Sequence, residues 1–225
     1  MLAAVGCAAG FASLAVAQVV QTPKNGCSSP EAYSGTVTSP VFATGSSTTL
    51  VNFQGWFEVE AVDPDGHDTV AVEYSIDGVD WNEFGRLNPT SAGGGTPDQG
   101  YSNNGLGVAP SFQAYSFPLP TAAANQPAVR IRFSFATFDD SFQGFRGTAV
   151  DNVTIPAASP SITQGFESGA AGWTFDAAQG VGAPFWHMVQ NPQNIAVKNP
   201  EINPTLVTLP DIGALPAAAQ GTWVA

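Results

Sequence analysis

The chain has 225 residues, 11% of them charged and 44% hydrophobic, which excludes a disordered polyelectrolyte. The chain has six basic and eighteen acidic residues, and its net charge of −12 argues against a nucleic acid or an anionic membrane as the partner. Glycine (24) and proline (18) are abundant, as are aromatic residues, valine and threonine. This mixture favours short strands and many turns over helices.

The first residues form an apolar stretch of small side chains that ends in Ala15-Val16-Ala17, a pattern typical of a signal-peptide cleavage site. We therefore predict a secretory signal segment at residues 1–17 and a secreted or cell-surface protein. Residues 2–7 also loosely resemble a bacterial lipobox, so a lipid anchor at Cys7 stays open. No other apolar run approaches the ~18 residues of a membrane span. The only other cysteine is Cys27, which excludes a disulfide framework.

Residues 36–156 show the two-residue alternation of half-buried strands. The strongest signal lies in residues 129–135, where a valine, an isoleucine and two phenylalanines alternate with two arginines and a serine. Residues 49–62, 69–76 and 112–119 alternate similarly, and an edge strand is predicted near residues 36–42. Asp77-Gly78 followed by Trp81 predicts a hairpin with positive φ at the glycine and the tryptophan packed back.

Composition changes on either side of this region. We predict an N-terminal segment at residues 18–35 and a Pro/Ser/Ala linker at residues 157–164. Residues 165–225 alternate little and are interpreted as the start of a second, truncated β module. About 60 residues without disulfides bury too little apolar surface for an independent core.

No catalytic constellation is present in the sequence. His67 and His187 are the only histidines, neither lies in H-E-x-x-H, and no serine lies in G-x-S-x-G. Paired carboxylates such as Asp139 and Asp140 would suit a glycosidase in principle, but nothing in the sequence indicates that one is held protonated. We expect a protein that is not an enzyme.

Nine of the eighteen acidic residues fall between Glu58 and Glu83, which indicates either a solvated, self-repelling face or part of a cation site. The turn at residues 63–68 does not have the EF-hand spacing. Calcium bound by side chains of separate strands is a second possibility, because hard oxygen ligands are abundant. The candidate ligands are Glu60, Asp139, Asp140 and Asp151.

Aromatic residues suggest a different kind of site. If exposed, they would form a platform that stacks on a sugar or grips a protein partner; in a β-sandwich, aromatic residues also commonly fill the core. The candidate ligand-binding residues are Trp56, Tyr101, Phe138, Phe142 and Phe145, and Tyr115 is a further candidate.

Several of these pieces together resemble the jelly-roll modules of the MAM-like and immune inhibitor A-like group of secreted bacterial proteins. The matching pieces are residues 56–60, residues 70–78, Trp81, residues 129–133 and residues 147–155. They cover roughly residues 35–156 in the order and spacing of that group. Phe166-Glu167-Ser168-Gly169, followed by Gly172-Trp173, resembles the opening of another such module.

The resemblance implies a non-catalytic module, because members of this group accompany peptidase or other hydrolase domains or serve in adhesion. The group often carries calcium near the closing aspartate, which here is Asp151, and the resemblance also draws attention to Glu60. Two departures are visible. Asp151-Asn152 stands where many relatives have Asp-Asp, and Gly147-Thr148 stands where a bulky aromatic residue often follows the glycine.

The sequence thus predicts an all-β antiparallel jelly-roll β-sandwich followed by an incomplete second β module. The expected function is an extracellular recognition or adhesion module of a larger secreted protein, calcium-stabilised, with a glycan or a protein as its partner. The alternatives are an accessory region of a secreted peptidase or glycoside hydrolase whose catalytic domain lies outside this chain, and a structural spacer that binds nothing.

Overall fold

A computed structural model of the protein describes residues 17–18, 34–59, 68–87, 101–105, 110–136, 147–179, 187–190 and 223–224. Apart from a 3-10 turn at Thr121–Ala123, the regular structure described there is entirely β. The strands are β1 (Ala17–Gln18), β2 (Ser34–Thr38), β3 (Leu50–Val59), β4 (Thr69–Ser75), β5 (Asn82–Arg86), β6 (Tyr101–Ser102), β7 (Gln113–Pro118), β8 (Arg130–Ala136), β9 (Gly147–Ile155), β10 (Ile162–Gln164), β11 (Thr174–Gln179), β12 (His187–Gln190) and β13 (Trp223–Val224).

Ten of these strands form two antiparallel sheets that pack face to face. Sheet I has the order β10-β9-β3, and β7 and β6 both pair with the other edge of β3. Sheet II has the order β11-β2-β8-β4-β5. The strands β1, β12 and β13 form a separate three-stranded antiparallel sheet. The prediction of an all-β antiparallel sandwich is confirmed, while the jelly-roll connectivity stays a prediction.

The core lies between the two sheets and is built by the predicted alternation. On β8, Ile131 and Phe133 are fully buried and Phe135 is nearly so. Phe133 meets Phe53 of the opposite sheet edge to face, with ring centroids 4.8 Å apart. Gly85 on β5 admits the Phe117 ring, because a Cβ at this position would lie 2.6 Å from that ring. Within the described ranges, no helix has the length and apolarity to cross a membrane.

A β-bulge interrupts the pairing of β3 with β9. Asn52 pairs with Thr154 and Gln54 with Asp151, so β9 has one extra residue in this interval. Asn152 lies there with φ of 52°, a left-handed conformation that asparagine tolerates better than most residues. The bulge changes the alternation, so Val150 and Val153 both reach the core.

The region predicted as a linker and a new module belongs to the same sandwich as far as residue 179. β10 extends sheet I beside β9, and β11 extends sheet II beside β2. Phe166 and Trp173, between these two strands, are buried in the common core. The predicted linker at residues 157–164 and the predicted boundary at residue 165 therefore do not match the structure here. Most of the chain beyond residue 179 lies outside the described residues.

The first strand of sheet II also differs from its prediction. β2 was expected near residues 36–42 as an edge strand, but it spans Ser34–Thr38 and has β8 on one side and β11 on the other. Its second neighbour comes from far along the chain, so local sequence does not reveal it. Ala17, the predicted end of the signal segment, pairs with Met188, and Gln18 pairs with His187; residues 1–16 lie outside the described residues.

Candidate functional site

The sandwich has two outer faces, and the outer face of sheet I holds side chains that the sequence placed in a site. Phe53 points to the core, so alternation turns Trp56 and Glu58 outward. Asp151 pairs across β3 and β9 with Gln54 and lies on this outer face too. Yet Trp56, Glu58 and Asp151 are each 0% exposed. We call the outer face of sheet I around these three residues the covered face.

Trp56 is held by a polar turn that directly follows β6. Its indole Nε1–H donates to Oδ1 of Asn104 at 2.9 Å. The neighbouring Asn103 donates from Nδ2 to the carbonyl of Gly55 at 3.0 Å and to the Tyr115 hydroxyl at 3.1 Å. These bonds satisfy the polar ends of Trp56 and Tyr115 inside the protein. A buried aromatic side chain with a satisfied N–H is a structural element.

The prediction of Trp56 as an exposed stacking residue is therefore wrong, because its ring is fully buried. Tyr115 is half-buried and stacks on Phe53, with ring centroids 5.3 Å apart, so it faces the core. The other predicted ligand-binding aromatics are not placed. The backbone of Tyr101 forms β6, while its side chain and Phe138, Phe142 and Phe145 lie outside the described residues.

Of the four predicted calcium ligands, the structure describes only Asp151. Its Oδ1 accepts the N–H of Asn152 at 2.6 Å. Glu60, Asp139 and Asp140 lie outside the described residues. Glu58, two residues before Glu60, pairs with Gly147, and Asp151 lies four residues further along β9. The levels of Glu58 and Asp151 are thus about 14 Å apart along β9 at the usual strand rise of about 3.4 Å per residue.

This register bears on the proposed pairing of Glu60 with Asp151. Calcium takes six to eight oxygen ligands at about 2.3–2.6 Å, so ligands of one ion must converge on one point. The described pairing of β3 with β9 places Glu58 away from the level of Asp151, and it leaves the pairing of Glu60 with Asp151 untested, because Glu60 lies outside the described residues. Within the described part of the chain, no group of three His, Cys, Asp or Glu side chains could hold a metal ion. The described residues alone do not fit a calcium site.

The outer face of sheet II presents charged and aromatic side chains at its surface. Arg132 on β8 donates from Nε to Oε2 of Glu73 on β4 at 2.6 Å. The guanidinium carbon of Arg132 lies 4.3 Å from the centre of the Trp81 ring. The side chains of Arg132 and Glu73 are 25% and 18% exposed, and Trp81 is half-buried. We call this side of the sandwich the open face.

A tight hairpin borders the open face where β4 ends. The carboxylate of Asp77 accepts the N–H groups of Val79 at 2.8 Å and of Asp80 at 2.9 Å. These two bonds, the Val79 bond foremost, and the hydroxyl of Ser75 hold the pKa of Asp77 below its ordinary value of 3.8. Gly78 has φ of 78°, as the turn requires. The predicted hairpin, with positive φ at the glycine and the tryptophan packed back, is confirmed.

Next to this hairpin lies a cleft of about 340 Å³, which we call the hairpin cleft. Ser75, Asp77 and Arg130 provide its polar groups. Val41 and Ile76, each 42% exposed, add apolar surface. Its volume is in the range of small-ligand sites, and its lining mixes apolar surface with a few hydrogen-bonding groups.

The hairpin cleft and Trp81 are close neighbours on the sheet. Ser75, in the cleft lining, pairs with Arg130 on β8. Asn82 pairs with Tyr74, so Trp81, one residue earlier, lies next to Ser75 at the same end of the sheet. Trp81 and Arg132 do not line the cleft, but the strand register places them next to Ser75 and Arg130, which do.

The sequence singled out Trp81 only as a packing residue and did not identify the cleft. The sequence contains only a weak signal for the cleft: Arg130 and Arg132 alternate with core residues on β8 and therefore point away from the core. Which acidic and aromatic residues face them depends on the register of β8, β4 and β5. That register joins segments distant in sequence.

No protein-family model matches the chain, and no curated protein shows significant similarity to it.

Proposed function

We propose that the protein is a non-catalytic extracellular recognition module of the jelly-roll type, and that it binds a polyhydroxylated ligand such as a glycan at the hairpin cleft and Trp81. The observation that carries this proposal is the arrangement of Trp81 beside the cleft, with its ring held against Arg132. A planar ring flanked by charged hydrogen-bonding groups suits a sugar, which has apolar C–H faces and polar hydroxyl edges.

The site is organised before any ligand arrives, which favours binding. Arg132 is restrained by its ion pair with Glu73 and by the Trp81 ring, so little of its side-chain freedom remains to be lost. Asp77 is fixed by the two N–H groups of its turn and, with its lowered pKa, is ionised at neutral pH. Its second oxygen and the Arg130 guanidinium supply an acceptor and a donor for ligand hydroxyls.

The charge of the protein also limits which ligands can bind. The chain carries a net charge of −12, so a strongly acidic polymer would be repelled at long range. In the cleft lining, Arg130 places a positive charge beside the carboxylate of Asp77. A neutral or weakly acidic glycan is compatible with both the negative net charge of the chain and the positive charge in the cleft. A protein surface with exposed hydroxyls and acids would be less compatible with them.

A glycan array tests the proposal directly. The full chain should bind specific glycans on the array. Trp81→Ala and Arg130→Ala should each lower the affinity for these glycans at least about tenfold, which corresponds to a loss of about 1.4 kcal/mol of binding free energy. Arg86→Ala is the matched control, because Arg86 also lies on sheet II, forms an ion pair with Glu83 and does not line the hairpin cleft. Its affinity should equal that of the unmodified chain.

If all three variants bind the same glycans as tightly as the unmodified chain, the binding site does not lie on the open face. No retention of any glycan, together with capture of a protein through Trp81, would favour a protein partner. An accessory region of a secreted peptidase or glycoside hydrolase would use the same surface to hold a substrate. The full reading frame separates this alternative, because it predicts a catalytic domain beside this region.

A further inference from the structure

Residues 162–179, which we call the closing segment, occupy the edges of both sheets. β10 pairs with β9 at the edge of sheet I. β11 pairs with β2 at the edge of sheet II, from Thr174 opposite Thr38 to Gln179 opposite Ser34. One short stretch of chain therefore closes the same side of the sandwich in both layers. Without it, β9 and β2 would each present an unpaired edge.

The closing segment is anchored by a few apolar side chains. Phe166 is 0% exposed and Trp173 is 7% exposed. Trp173 stacks on Phe133 with ring centroids 6.5 Å apart and meets Phe166 edge to face at 5.8 Å. The residues between these anchors are polar or small, and Glu167 and Ser168 are exposed. Backbone pairing plus side-chain pockets is the mode by which proteins bind an added strand.

The connection that leads into the closing segment is an exposed loop, residues 156–161. Pro156, Ala157 and Ser159 are exposed, while Ala158 between them is buried in the core. The loop is tied to the sandwich by reciprocal backbone bonds of Ala43 and Ser159, at 2.8 and 2.9 Å. Opening this loop breaks these two backbone bonds and the core contact of Ala158, while every contact of the closing segment beyond it would be remade if an identical segment took its place.

We propose that the closing segment is exchangeable, and that the closing segment of a second copy of this chain takes its place between β9 and β2. The second copy is the fitting partner because its segment brings the same anchors, in the same register, to the same edges. Reciprocal exchange gives a closed two-fold dimer, and one-way exchange gives an open chain of copies. The proposal is independent of ligand binding at the open face.

Cysteine cross-linking of two differently marked chains tests it. Full-length Thr38→Cys and Thr174→Cys proteins, each with Cys7 and Cys27 replaced by serine, are mixed and incubated just below their unfolding temperature. A short bis-maleimide is then added. Because residues 38 and 174 are strand partners, exchange places the two new thiols of different copies side by side. We expect covalent heterodimer in an amount that rises with protein concentration.

The control mixture joins Thr38→Cys with Gln179→Cys. Gln179 lies opposite Ser34, at the other end of the β2–β11 pair, and should give several-fold less product. A single chain that carries both Thr38→Cys and Thr174→Cys should cross-link within itself. The proposal is overturned if that chain cross-links internally while the mixture yields no more heterodimer than the control. It is also overturned if the internal cross-link fails, since the register on which it rests is then absent.

Discussion

The two outer faces of the sandwich differ in how far their polar side chains are exposed to solvent. On the covered face, Trp56, Glu58 and Asp151 are all excluded from solvent, although strand alternation places them on the side of sheet I opposite Phe53. On the open face, Glu73 and Arg132 pair with one another at the surface, beside Trp81. Burying a polar group is stable only when its hydrogen bonds are satisfied, so the covered face must be specified in detail. The open face tolerates change and is the better place for a binding site.

The two tryptophans give the largest test of this comparison. Trp56→Ala should lower the free energy of unfolding by about 3–5 kcal/mol, because it removes a fully buried ring. Trp81→Ala should lower it by at most about 1 kcal/mol, since it loses mainly the contact with Arg132. Urea unfolding followed by circular dichroism measures both. Similar losses for the two variants would break the distinction between the faces.

A calcium ion held through Asp151 would sharpen the comparison, because it would make the covered face a structural metal site. The remaining ligands would come from residues outside the described ranges. In that case, excess chelator should lower the stability of the unmodified chain, by about 2.7 kcal/mol if the ion had been present at a hundred times its dissociation constant. Asp151→Asn should be insensitive to chelator. A thermal midpoint of the unmodified chain that chelator leaves unchanged would exclude the ion.

The ion pair of the open face should contribute little. A double-mutant cycle with Glu73→Gln and Arg132→Met, measured by urea unfolding, should give a coupling free energy of at most about 1 kcal/mol. Both side chains keep some solvent exposure, and water screens their attraction. The coupling should shrink further in high salt. A value several times larger would mean that the open face is as tightly specified as the covered one.

The smallest effect is expected at Asp77. Its folded-state pKa lies below its ordinary value, so its charged form adds stability above that value, and this contribution is lost as the pH falls through the lowered pKa. Asp77→Asn should therefore have a slightly lower thermal midpoint than the unmodified chain at neutral pH, and the difference should vanish in acid. A difference that grows in acid would contradict the turn bonds as its cause.

Sequence reasoning succeeded where structure follows from neighbouring residues. The alternation along β8 identified Ile131, Phe133 and Phe135 as core residues, and all three are buried. The hairpin at Asp77-Gly78 was likewise predicted from its turn residues. Both depend on local rules: side chains alternate along a strand, and a turn of this kind needs positive φ at one position.

The same reasoning failed where distant segments decide the outcome. Alternation shows that Trp56 and Phe57 face opposite ways, but it does not show that the outward face of β3 is covered. Composition made residues 157–164 look like a linker, whereas β10 and β11 find their partners in β9 and β2. The hairpin cleft depends on three strands in register, and no single stretch of sequence contains that information.

The pairing of β11 with β2 also constrains the order in which the sandwich can form. β2 is the first strand of the two sheets along the chain and β11 is the last, so synthesis must reach residue 179 before that edge can close. Contacts between such distant segments slow folding, because a long loop must be ordered before they form. During that interval β2 presents an unpaired edge, which is a hazard for aggregation. The β2–β11 edge is thus expected to close late in folding, after residue 179 has been synthesised.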